Sequence, residues 1–75
     1  MENYRDLGGD SNVAGYMTGT DWIEVVFKTG TCRAYTYTYR SAGEAAVEQM
    51  KRLATYGKGL NSYIKLSKPS FASKC

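Results

Sequence analysis

Tyr35, Tyr37 and Tyr39 recur at every second position between Arg33 and Arg40, and the chain's capacity for chemistry concentrates there. Flat rings beside cations are the two halves of a platform for single-stranded nucleic acid, since bases stack on the rings while arginine and lysine neutralise phosphates. Lys58, Lys65 and Lys68 would extend its positive charge. The same alternation also has a purely structural reading, because tyrosine and threonine are good strand formers on a half-buried surface. A second, smaller anion site is offered by Ser41, Ala42 and Gly43, where free amides at a helix start would lie beside Arg40 and Gly43 would let a phosphate approach closely. Gly57, Lys58 and Gly59 offer another backbone concavity with a lysine in it. Against both stands ordinary helix capping by glycine, and Glu44 would repel an anion at the first of them.

The inventory for catalysis is poor. Histidine is absent, which removes the usual general base and the commonest metal ligand. Two distant cysteines do not make a zinc site without unusual partners. Asp21 and Glu24 fall on opposite faces of one strand, which disfavours a carboxylate pair there. The chain is therefore read as non-enzymatic, with no catalytic residue, no metal ligand and no cofactor.

The elements that must position these groups are legible from periodicity. Asn12 to Met17 alternates Val13, Gly15 and Met17 against Ala14 and Tyr16 and ends at a turn signal, Thr18 to Thr20. Trp22 to Lys28 places Ile23, Val25 and Phe27 on one face and Trp22, Glu24 and Val26 on the other. The turn that follows sets the fate of the tyrosines, because a slip of one residue sends every side chain to the opposite face. A two-residue turn at Thr29 and Gly30 would pair Phe27 with Cys32 and put Arg33, Tyr35 and Tyr37 on the outer face. A three-residue loop with Gly30 left-handed would set Tyr35 opposite Ile23, on the core side. The reluctance of a β-branched threonine to take positive φ favours the longer loop.

Ser41 to Glu44 has the spacing of a capping box. Beyond it Ala46, Val47, Met50, Leu53 and Ala54 form an apolar stripe at helical spacing. Glu48 stands four residues before Arg52, a favourable surface pair, and Gly57 to Gly59 supply a left-handed stop. Leu60 to Ile64 is long enough for one short extended or helical element that closes the core.

A chain of 75 residues forms one small domain that buries only about 60% of its unfolded surface, so association of chains is expected. Its net charge of +3 is unevenly spread. Residues 1 to 24 carry Glu2, Asp6, Asp10, Asp21 and Glu24 against Arg5 alone, whereas every charge after Glu48 is positive: Lys51, Arg52, Lys58, Lys65, Lys68 and Lys74. The C-terminal third thus presents a positive field to polyanions. No run is long enough to span a membrane, and the start at Met1 to Tyr4 lacks the basic, apolar character of a signal peptide. Cys32 reads as a small core residue and Cys75 as an incidental exposed thiol, so the expected home is a reducing cytoplasm.

Four segments in order carry a family resemblance. Ser11 to Tyr16, Ile23 to Gly30, Tyr35-Thr36-Tyr37 and Gly57 to Ile64 together resemble the KTSC domain, known from the C-terminus of some lysyl-tRNA synthetases and from stand-alone small proteins of bacteria and bacteriophages. The match spans roughly residues 11 to 65. The family is marked by a Ser-x-x-Ile/Val-like opening, a central Tyr-x-Tyr and a late Gly-x-x-x-Asn, which falls here on Gly57 and Asn61. Departures are a longer segment before the Tyr-x-Tyr, alternation continuing to Tyr39, and an alanine-rich helix. The resemblance implies a binding module, RNA being suggested by the synthetase context.

The expectation is an α+β domain: a three-stranded antiparallel sheet with one main helix across one face and a short C-terminal element. Residues 1 to 10 form a flexible arm, 11 to 65 the KTSC-like domain, and 66 to 75 a basic tail. Arg33, Tyr35, Tyr37, Tyr39, Arg40, Gly43, Lys58, Asn61 and Lys65 are the expected ligand contacts. The expected ligand is RNA, single-stranded nucleic acid or another nucleotide-containing anion. The alternative is a small phage protein in the host cytoplasm that inhibits a bacterial defence system, by binding a host protein through anchors such as Trp22, Tyr16 and Met17 or by sequestering a nucleotide signal. A homodimer or higher oligomer is open in either case.

Overall fold

The computed structural model describes residues 2–7 and 12–74. Strands and helices follow the order β1 (Glu2–Asn3), β2 (Val13–Thr18), β3 (Trp22–Phe27), β4 (Ala34–Thr38), α1 (Tyr39–Ala42), α2 (Glu44–Tyr56), α3 (Leu60–Ser67) and β5 (Ser73–Lys74). All the strands are antiparallel neighbours in one sheet of order β1-β2-β3-β4-β5. An α+β fold with a main helix on an antiparallel sheet is as expected. The sheet, however, has five strands rather than three, because both chain ends add a two-residue edge.

β3 follows the alternation closely, and β2 does not. Ile23 and Val25 are fully buried on one face of β3, where β-branched side chains pack well on a pleated surface. In β2 a bulge between Val13 and Gly15 shifts the register, so Val13 faces Phe27 and Gly15 faces Val26. Over the buried face lies α2, whose Val47, Met50 and Ala54 recur at helical spacing and join Ile23, Val25, Tyr37, Val13, Leu60 and Tyr4 in one core. Each fully buried aliphatic side chain contributes about 1.5–3 kcal/mol, so this face is what holds helix to sheet.

The helix entry differs from expectation. The capping box is formed by Thr38 and Ser41: the Ser41 amide donates to Thr38 Oγ1 at 3.0 Å, and the Thr38 amide donates to Ser41 Oγ at 3.0 Å. Helix therefore starts one turn earlier, as α1. It breaks at Gly43, where φ of 96° and ψ of 149° lie outside helical space. Ser41 is thus the third residue of the first turn, not a cap. Gly57, at φ 90°, ends α2 as expected, its amide donating to the Leu53 carbonyl at 2.8 Å. The expected Glu48–Arg52 pair does not form. Glu48 binds Lys51 at 3.0 Å instead, while Arg52 donates to Gln49.

Described residues near both termini are built into the fold. The Tyr4 amide donates to Ala14 and the Leu7 amide to Gly57. The Tyr4 ring is only 7% exposed, and its hydroxyl accepts from the Leu60 amide at 3.3 Å. The stretch read as a flexible arm is thus docked over residues 2–7, while Gly8, Gly9 and Asp10 lie outside the described residues, as does Ser11. At the other end α3 runs to Ser67, and Lys68 turns the chain with φ of 48°. The Ala72 amide then donates to Thr36 at 2.7 Å, and β5 pairs with β4. Residues read as a loose tail thereby become an edge of the sheet.

Candidate binding cleft

The register of β3 and β4 decides which way the tyrosines face. Ile23 pairs with Tyr37 and Val25 with Tyr35, and the Phe27 amide donates to the Arg33 carbonyl at 2.8 Å. The connecting loop, residues 28 to 32, is longer than either loop weighed from sequence. Its parity matches the three-residue alternative, so Tyr35 and Tyr37 lie on the core side. An outer-face tyrosine platform therefore does not form. Tyr37 is 3% exposed, and burial, with a further contribution from Tyr35, raises its pKa above the ordinary phenol value. Such a ring forms a floor and cannot stack a base on its face.

Tyr35 lies nearer the rim. Its ring meets Phe27 edge-on at 5.5 Å between centroids and Phe71 edge-on at 5.2 Å, in the arrangement aromatic quadrupoles favour. These rings wall a cleft of about 810 Å³. Facing the wall is α3, which contributes Asn61, Ile64, Lys65 and, just past its end, Lys68; positions 0, 3, 4 and 7 of a helix share one face. The β3–β4 loop supplies Thr29 to Cys32, and the segment after α3 supplies Pro69, Ser70, Phe71 and Lys74. Lys74 pairs with Tyr35 across the β4–β5 ladder, and its Nζ lies 5.5 Å from the Phe71 ring centroid. Among the described residues lining the cleft there are three lysines and no carboxylate.

Of the expected contacts, the structure brings Tyr35, Tyr37, Asn61 and Lys65 together in this cleft. The others lie apart from it. Arg33 is exposed at the base of the loop, next to β4, its Nε donating to the Gly30 carbonyl at 3.3 Å. Tyr39 belongs to α1, and its hydroxyl donates to Glu48 Oε2 at 2.6 Å. That bond is the first cause of a phenol pKa pushed up to about 12, and it also holds Glu48 below the usual carboxylate range. Lys51 Nζ stands 5.7 Å from the Tyr39 ring centroid and donates to the Thr20 carbonyl at 2.9 Å. Tyr39 is thus part of a clamp between α1, α2 and the β2–β3 turn. Arg40 is exposed on α1. Gly43 uses its amide on the Tyr39 carbonyl, so it is not a free donor for an anion. Lys58 is exposed in the α2–α3 turn.

Phe71 and Lys74 escaped the sequence reading because the segment looked like tail. The one local signal for this wall was the helical spacing of Asn61, Ile64, Lys65 and Lys68. Cys32 also needs correction: it is not a small core thiol but a half-buried, disulfide-bonded residue at the cleft. Cys75 lies outside the described residues.

A smaller concavity of about 590 Å³ lies between Arg5 and the outer side of α2, but Glu48 lines it together with Lys51 and Arg52. Among the described residues no group of three His, Cys, Asp or Glu is placed to hold a metal ion. No helix among them is long and apolar enough to cross a membrane. Comparison of the chain with protein-family models, with curated proteins and with solved structures finds no match. The resemblance to the KTSC domain therefore rests on the motifs alone.

Proposed function

We propose that this chain is a non-catalytic binding module that holds a nucleotide-containing anion, RNA and other single-stranded nucleic acid included, in the cleft between β4, α3 and the C-terminal segment. One observation carries the reading: the Phe27–Tyr35–Phe71 wall is lined, among the described residues, with Lys65, Lys68 and Lys74 and no carboxylate. Phe71, 44% exposed, supplies the accessible ring that Tyr37 does not. The volume falls in the range of about 300–1,000 Å³ typical of small-molecule sites, which fits one or two nucleotides. The same dimensions favour the second reading, capture of a free nucleotide signal, over attachment to a host protein surface.

The test is titration of the full chain with short single-stranded oligonucleotides at several salt concentrations. Binding should weaken with salt at a slope near 0.7 per phosphate neutralised. Lys65→Ala with Lys68→Ala should lower both affinity and slope, while Arg33→Ala leaves them unchanged. Absence of binding to oligonucleotides and to free nucleotides at low salt would reject the proposal.

A further inference from the structure

The cations of the cleft come from two segments, α3 with its C-cap and β5. Lys65 and Lys68 stand three residues apart, at the end of α3 and just beyond it, close enough to share one phosphate. Lys74 comes from β5. The left-handed turn at Lys68 and the bond from the Ala72 amide to Thr36 carry the chain back along β4, and the ladder sets Lys74 beside Tyr35. The exposed ring of Phe71 packs on Tyr35 and has Lys74 Nζ 5.5 Å from its centroid. No carboxylate among the described residues forms an ion pair with any of the three lysines.

We infer that the cleft takes a nucleotide carrying phosphate on both the 3′ and the 5′ side of its sugar, as in an internal residue of an oligonucleotide or one half of a dinucleotide. The inference rests on the nucleotide-binding reading above and narrows it. The base lies on the Phe71 and Tyr35 wall, and one phosphate meets Lys65 and Lys68. The other meets Lys74. Asn61, with an amide that both donates and accepts, faces the base or sugar between them. A nucleoside 5′-diphosphate carries its charge at one end and engages only one side.

The experiment compares adenosine 3′,5′-bisphosphate with adenosine 5′-diphosphate, titrated calorimetrically into the full chain at matched ionic strength. The bisphosphate is expected to bind roughly tenfold more tightly, the value of one added charge-assisted contact. Lys74→Ala, and Lys74→Gln with its longer stem, should erase that preference by weakening the bisphosphate while leaving the 5′-diphosphate unchanged. Lys65→Ala with Lys68→Ala should weaken both. Equal binding of the two probes, or a Lys74 effect shared by both, overturns the inference and leaves nucleotide binding standing. Failure of both probes, and of a dinucleotide and a twelve-nucleotide strand, overturns the binding reading and this inference together. If the inference holds, a dinucleotide equal to the twelve-nucleotide strand identifies a small ligand. A markedly tighter strand identifies a polymer.

Discussion

Tyr4 offers a decisive perturbation, because it joins a segment that looks dispensable to the helix that walls the cleft. Its hydroxyl accepts from the Leu60 amide at 3.3 Å, and Leu60 opens α3, where no preceding turn supplies a partner. Tyr4→Phe keeps the ring and leaves that buried amide unsatisfied. The full penalty for an orphaned group is about 1–3 kcal/mol. The bond is long, and removing the hydroxyl also removes its own desolvation cost, so the lower end of about 1 kcal/mol is expected. Tyr4→Ala deletes a ring that is 7% exposed, which costs about 3–5 kcal/mol. A chain of 75 residues has on the order of 4–11 kcal/mol in total, so the alanine variant should be partly unfolded at room temperature. Urea denaturation reads both, and thermal melting should show the phenylalanine variant about 4–8 °C below the parent. An alanine variant within about 0.5 kcal/mol of the parent, the range of ordinary surface substitutions, would refute the docking of residues 2–7 and the support they give α3.

Two further outcomes follow from the same geometry. Gly57→Ala should cost more than the roughly 1–2 kcal/mol of a left-handed alanine, because its Cβ would come 2.5 Å from Arg5 Cβ; Gly43→Ala meets nothing within 4 Å and should pay the backbone penalty alone, so denaturation midpoints should rank them in that order. The Tyr39–Glu48 bond should give a stability plateau with two edges. The raised phenol pKa contributes stability that is complete below pH 10 and lost as pH rises towards about 12, whereas the lowered Glu48 value contributes stability present above 4.5 and lost as pH falls through it. In Tyr39→Phe, urea midpoints across pH should soften both edges, the buried phenols of Tyr4 and Tyr37 keeping part of the alkaline one.

What could be read without coordinates is what local patterning dictates. The faces of β3, the stripe Val47, Met50 and Ala54, the stop at Gly57 and the short closing element at Leu60 all follow from periods of 2 and 3.6 and from the φ freedom of glycine, whereas the bulge after Val13 turns Tyr16 rather than Met17 to the core. Asn61, Ile64, Lys65 and Lys68 have the spacing of one helical face, but the sequence left Leu60 to Ile64 extended or helical and 66 to 75 a tail, and only α3 joins them. The two-residue edge strands carry no period, so nothing local distinguishes Glu2–Asn3 or Ser73–Lys74 from loose termini. Only pairing with strands distant in the chain makes them part of the sheet. The same holds for the capping box, where Thr38 and Ser41 compete with an equally spaced pair one turn later and the backbone at Gly43 decides between them. The loop between β3 and β4 fixed the orientation of the tyrosines through long-range pairing, sealing Tyr37 while leaving Tyr35 at a rim. The composition alone established that cations and rings outnumber acids in the second half of the chain. Which of them converge was decided by tertiary structure, because the return of residues 69 to 74 along β4 carries Phe71 and Lys74 to Tyr35, more than thirty positions away in sequence.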